Sequence, residues 1–295
     1  MFSPQSKPWR GTLCAVLLMH CPAAFATRGT GFLDELMLAQ APTQRKSLPP
    51  PDIAPQRSSQ ITALARAYYS LGKELYLANR FVSAVENFER AIKESPQWGE
   101  AYLYLGMSYA HLNRFRQADD TLKKALQWSE SLSNADKAWA HKVRGIAAGM
   151  RGDRAAADSH YRRALAVDPG NTDALNGLAY SYAVQGVRLE EALGLIDRAL
   201  AAYPNEPNYL DTRGWILYRM GRYKEAERVI LDSLRKIGAP ANLNERMMQS
   251  DIHLHLGKIY VVQGQSTKAR AEFEKAISLY GSNAEAQQAL STLPR

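Results

Sequence analysis

The chain has 295 residues, 46% of them hydrophobic and 22% charged, with a formal charge of +8. Enough apolar residues are present to bury a core, which excludes a wholly disordered chain. The two cysteines, Cys14 and Cys21, sit close together near the start, so neither a disulfide framework nor a thiolate metal cage is expected in the rest of the chain.

Residues 1–26 differ in kind from the rest of the chain. Lys7 and Arg10 precede an apolar stretch from Thr12 to Met19, and the segment ends in Ala24-Phe25-Ala26. A basic start, a short apolar centre and an Ala-x-Ala exit predict a secretory signal cut after Ala26, and hence a periplasmic or secreted protein. His20 and Pro22 interrupt the stretch, which is also short for a membrane span. An uncleaved anchor is the alternative. Leu17 to Cys21 has the outline of a lipoprotein cleavage box, but His20 is not the small residue that box requires, so a lipid at Cys21 is the minor reading. Removal of Lys7 and Arg10 would leave +6, because no Asp or Glu lies in this segment. The remaining basic residues are interspersed with acids, as in Glu86-Asn87-Phe88-Glu89-Arg90, which reads as a solvated surface more than as a patch for an acidic polymer.

Residues 27–60 predict a linker. Pro42, Pro49, Pro50, Pro51 and Pro55 disfavour helix and favour an extended tether, while the apolar patch Phe32–Leu38 is a candidate short docking helix.

From there a register of about 34 residues takes over. Asn79-Arg80-Phe81 recurs as Asn113-Arg114-Phe115, and Gly72 recurs as Gly106 at the same distance. In that register the units run 65–98, 99–132, 138–171 after a five-residue insertion, 172–206 with one extra residue in its turn, 207–240 and, after a loop, 250–283. Position eight is Gly72, Gly106, Gly145, Ala179, Gly214 and Gly257, and a small residue returns about twelve positions on at Ala84, Ala118, Ala157, Ala192, Ala226 and Ala269. Four residues later comes a large apolar group: Phe88, Leu122, Tyr161, Ile196, Ile230 or Phe273. Small residues let two helices approach closely, and the four-residue step places large and small side chains on one face. Pro96, Pro169 and Pro204 close three units where the chain must turn. Residues 284–290, rich in Ala, Glu and Gln, suit a short capping helix.

This order of small, aromatic and closing proline positions over 34 residues resembles the tetratricopeptide repeat family, across Ala65 to Asn283. Departures are local: Arg144 and Ala148 stand where the family has Leu and Tyr, and units two, five and six lack the closing proline. The resemblance implies an all-α, right-handed solenoid of about six helix-turn-helix units over 61–295, with a C-terminal cap. In that family the first helices line a concave groove through positions two, five, nine, twelve and thirteen. Carried over, the groove is expected to hold Tyr69, Lys73, Tyr76, Leu103, Met107, Trp139, Lys142, Ile146, Asn176, Tyr180, Asp211, Trp215, Tyr218 and Arg219, with Lys258 beyond them. Tyr, Trp and Arg often dominate interface energies, so the set implies capture of a peptide or helix segment of a protein partner. The family's clamp for chaperone C-terminal carboxylates is not reproduced, since its places carry Tyr69, Lys73, Tyr104, Trp139 and Val143.

Catalytic patterns are thin. His253 and His255, two apart on a helix, diverge by about 200°, and Asp251 with His255 predicts at most an exposed i,i+4 contact. His111, His141 and His160 fall in different helices without ligand spacing. Glu190-Glu191 and Asp119-Asp120 are adjacent acids that point apart, and Gly149 to Asp153 lacks a phosphate-loop ending and lies where unit three turns. The expectation is a non-catalytic protein-binding scaffold of the cell envelope, with no cofactor, no metal and no nucleic-acid partner. The alternative is a surface-charge binder of anionic polysaccharide or lipid, which leaves peripheral membrane association open. Oligomeric state is not readable from the sequence.

Overall fold

The computed structural model describes residues 61–294, so the predicted signal with its cut after Ala26, the lipid alternative at Cys21 and the 27–60 linker lie outside the described residues. Within them the chain is all-helical: α1 (Ala63–Leu77), α2 (Phe81–Glu94), α3 (Gly99–His111), α4 (Phe115–Gln127), α5 (Asn134–Met150), α6 (Arg154–Val167), α7 (Thr172–Gln185), α8 (Leu189–Ala202), α9 (Pro207–Arg219), α10 (Tyr223–Lys236), α11 (Leu243–Val262), α12 (Ser266–Leu279) and α13 (Ala284–Thr292), with a 3₁₀ turn at Ser129–Ser131. They form six antiparallel hairpins, each packed on the next, and α13 closes the C-terminal end against α12. No described helix is long and apolar enough to cross a membrane.

The five position-eight glycines occupy equivalent places. A Cβ on Gly72 would lie 2.7 Å from the Phe88 ring, on Gly106 2.6 Å from Leu122, on Gly145 2.8 Å from Tyr161, on Gly214 2.5 Å from Ile230 and on Gly257 2.4 Å from Phe273. The large residue of each second helix thus fills the hollow left by the glycine of its own first helix. It is the missing Cβ that sets how closely the pair nests. The alanines that accompany these residues, Ala84, Ala118, Ala192, Ala226 and Ala269, are fully buried. The core runs as one cluster from Tyr76 to Ile216 and a second from Leu217 to Ala286.

Two predicted connections are helix instead. The five residues inserted before unit three supply the N-cap and first turn of α5, because Ser133 and Asp136 form a reciprocal capping box. The loop expected after Pro240 is short: Asn242 accepts the Glu245 backbone N–H and its side chain donates to the Glu245 carboxylate, which starts α11 seven residues before Ser250. The extra residue of unit four is taken up at Arg188, which adopts a left-handed backbone with φ 51°.

Candidate functional site

Consecutive first helices, α1, α3, α5, α7, α9 and α11, touch one another as well as their own partners, whereas consecutive second helices among the described residues make no comparable contact. The row of first helices is the tighter one, so it forms the concave side and the second helices the convex side.

Two aromatic and cationic clusters mark this face. Toward the N-terminal end the Tyr69 ring lies 4.4 Å from Trp98 and 5.7 Å edge-on to Tyr104, which in turn lies 5.6 Å from Tyr76. The Lys73 ammonium sits 5.6 Å and 5.3 Å from the Tyr69 and Tyr104 ring centres, a cation–π arrangement. Tyr76 and His111 are hydrogen-bonded at 3.0 Å, which joins α1 to α3. Toward the C-terminal end Trp215 is sandwiched between Tyr218 at 4.8 Å and His255 at 4.4 Å, with the Lys258 ammonium 5.0 Å from its ring. Lys258 continues to an ion pair with Glu285 on α13.

Between the clusters the floor is made of buried polar pairs. Lys142, only 1% exposed, donates to Asp173 at 2.8 Å, and Asp173 also accepts from the Tyr209 hydroxyl at 2.8 Å. Asp211 and His255 meet at 2.9 Å across α9 and α11. An isolated charge in such surroundings would be costly, and each pair links one first helix to the next. Burial, with Asp251, Asp211 and Glu285 nearby, holds the Tyr180 phenol well above its usual range, so it stays protonated.

The fourteen expected groove residues therefore divide. Tyr69, Lys73, Tyr218 and Arg219 are half-buried, and Lys258 with them. The other ten are buried: Tyr76, Leu103, Met107, Trp139, Lys142, Ile146, Asn176, Tyr180, Asp211 and Trp215. Leu103, Met107 and Ile146 belong to the hydrophobic core that joins the hairpins. Lys142 and Asp211 are not open charges, because each is neutralised by a neighbouring hairpin. Arg219 is turned to the scaffold too: its guanidinium donates to the Ala183 and Val184 carbonyls at 2.6 and 2.9 Å and so caps the C-terminus of α7. His255 does not pair with Asp251 on its own helix; it is 3% exposed and bound to Asp211, while Asp251 accepts from Asn283. Asp173, Tyr209 and His255 join the site without having been expected there, and Tyr104 joins it from one of the clamp places. Asp173 stands at position two of unit four, a groove position in the register, and could have been found by it.

Three polar atoms on this face are closed to solvent and have no hydrogen-bond partner among the described residues: the indole N–H of Trp139, the amide oxygen of Asn176 and the indole N–H of Trp215. They lie on α5, α7 and α9, at positions two, five and nine of their units. Among the described residues no three or more His, Cys, Asp or Glu side chains are grouped so as to hold a metal ion.

Profiles described as tetratricopeptide repeat match residues 99–169, residues 63–130 with 143–207, and residues 250–283. A TPR repeat-containing protein of Pseudomonas aeruginosa is 30% identical over 164 residues, 55% of this chain and 27% of that protein. Cellulose synthase operon protein C of Xanthomonas axonopodis pv. citri is 27% identical over 256 residues, 73% of this chain and 17% of its own length. The chain thus spans well under a third of the curated relatives it matches. Among solved structures, that of the APC/C hetero-tetramer Cut9-Hcn1 superposes with a TM-score of 0.63 at 15% identity, over 77% of this chain and 42% of that one. PilW, described as a widely conserved type IV pilus biogenesis factor, superposes with a TM-score of 0.60 at 19% identity, over 78% of this chain and 99% of its own.

Proposed function

Because the chain belongs to the tetratricopeptide repeat family, we propose that it is a non-catalytic scaffold of the cell envelope that holds a peptide or helix segment of another protein on its concave face. The observation that carries this reading is the pair of aromatic and cationic clusters on the first helices, with half-buried Tyr69 and Lys73 at one end and half-buried Tyr218 and Lys258 against Trp215 at the other. A segment laid along the first helices would find these two clusters as anchors at either end. The envelope assignment draws support from relatives named for a cellulose synthase operon and for type IV pilus biogenesis, together with the signal-like segment at residues 1–26.

Half-buried Tyr69 and Tyr218 provide the test. Immobilised protein should capture a partner from envelope extracts of its own cells, and Tyr69→Ala or Tyr218→Ala should lower that capture at least tenfold with unchanged helical circular dichroism. Capture should survive a rise from 50 to 500 mM salt. A surface-charge binder of polysaccharide or lipid would instead lose affinity steeply with salt and be indifferent to both substitutions, which would overturn the proposal.

A further inference from the structure

Charge is distributed unevenly along the concave face. Its floor and its C-terminal end are paired internally: Lys142 donates to Asp173, Asp211 meets His255, Arg219 is held by the Ala183 and Val184 carbonyls, and Lys258 is paired with Glu285. Asp251, which accepts from Asn283, adds a further acid at that end. Lys73, at the N-terminal end, differs from all of these. Among the described residues it has no carboxylate or carbonyl partner, and its ammonium rests on the rings of Tyr69 and Tyr104.

The neighbouring groups leave that charge uncompensated. Burial holds the Tyr69 phenol far above its ordinary range, with Tyr104, Glu100 and Asp136 adding to this, so the ring stays neutral and is no counter-ion. Glu100, at position two of the next hairpin, accepts the Trp98 indole N–H. His111 is lowered to about 4 by burial and by Lys142, so it is uncharged at neutral pH. Exposed Arg66, seven residues before Lys73 and on the same side of α1, adds a second positive charge. A half-buried ammonium flanked by rings retains part of its desolvation cost, because cation–π contact compensates it less fully than a carboxylate would.

The surroundings limit what the ammonium can receive. Lys73 and Tyr104 stand within α1 and α3, where the backbone N–H groups are taken up by the helices, so there is no nest of free amides to hold a chain-terminal carboxylate. Leu77, one turn beyond Lys73 and 74% exposed, offers apolar surface beside the charge. An acidic side chain with an apolar neighbour matches both features.

We infer, on the basis of a concave face that holds a partner segment, that Lys73 selects an Asp or Glu side chain of that segment while an apolar neighbour rests on Leu77 and Tyr69. The charge pattern also sets the direction of the segment. Its acidic part lies over unit one and its uncharged part over the Trp215–Tyr218 cluster, where a second acid would face Glu285 and Asp251.

The test places a benzophenone amino acid at Leu77 or at Tyr218 of the full chain in its native cells and identifies the crosslinked partner peptide by mass. The peptide joined at Leu77 should carry an Asp or Glu beside the crosslinked residue. Lys73→Met should lower the Leu77 adduct about fivefold, and Lys73→Glu should abolish it, with helical circular dichroism unchanged in both. Replacing the partner's acid by Lys should restore the adduct in the Lys73→Glu chain. Equal adducts in wild type and Lys73→Glu would overturn the inference and leave concave binding standing, as would a joined peptide with no acidic side chain. Absence of adducts at both Leu77 and Tyr218 would overturn concave binding itself, and the inference with it.

Discussion

In every unit position fifteen, the residue that opens the turn between the two helices, is held in a left-handed backbone. It is Asn79 and Asn113 at φ 58°, then Gly152, Gly186, Gly221 and Gly264 at φ between 71° and 80°. Glycine has no Cβ to clash there, and asparagine tolerates the region better than most residues, so two chemically different side chains meet one backbone requirement. At Gly186 a second constraint is added, since a Cβ would come within 2.5 Å of the Arg219 guanidinium that caps α7. Nothing lies within 4 Å of a Cβ built on Gly221, so Gly221→Val isolates the backbone effect. It should destabilise by about 1–2 kcal/mol, read from urea unfolding, whereas Asn113→Gly should leave stability unchanged or raise it. Equal effects of the two would mean that the turn does not depend on φ. The recurrence of Asn-Arg-Phe was visible in the sequence as a period, but the identity of Asn with the later glycines was not, because only the backbone angle unites them. The Asp211–His255 contact was hidden for another reason: its partners lie 44 residues apart, on separate hairpins, and His255 also had a nearer acid at Asp251.

Among the elements, the hairpin of α5 and α6 departs furthest from the family pattern, with Arg144 and Ala148 in place of Leu and Tyr. There Arg144 pairs with Asp119 of the preceding hairpin at 2.6 Å, and Arg151 joins the same carboxylate at 3.0 Å. His141 and His160, which the sequence put on different helices without relation, stack with ring centres 6.0 Å apart. Burial lowers both imidazoles to about 4; the His160 ring, Arg144 and Arg163 add to this at His141, and Arg144, Arg163 and Arg151 at His160, where Asp119 opposes them. His111, lowered to about 4 by burial and by Lys142, behaves in the same way. In the unfolded chain these groups take up protons near pH 6.5. Between pH 6.5 and 4 the unfolded state therefore binds more protons, so stability is complete above that window and declines as pH falls through it. The urea midpoint should drop between pH 7 and pH 5, and less so in a chain carrying His141→Gln and His160→Gln. The same drop in wild type and variant would show that these two rings are not its source. Such a pair follows from the packing of two helices at one level, which periodicity alone does not specify.

For the whole molecule, helix count, hairpin order, the small-against-large packing and the terminal helix all follow from the 34-residue period, because each hairpin repeats one solution to the burial of two amphipathic helices. The concave face was less legible. Register positions correctly collect residues onto the first helices, but they do not distinguish a side chain open to a partner from one, like Lys142 or Asp211, that a neighbouring hairpin neutralises. Curvature tightens the inner row and buries much of what the register assigns to it. What remains accessible is narrower: Tyr69 and Lys73 at one end, Tyr218 and Lys258 at the other. The most direct test of a concave binding face is photo-crosslinking in the native cells, with a benzophenone amino acid placed at Lys73, at Tyr218 and, on the convex side, at exposed Lys123 of α4. A shared protein adduct from Lys73 and Tyr218, with none from Lys123, is the predicted result; the same adduct from Lys123 alone would place the partner on the outer face and contradict the account.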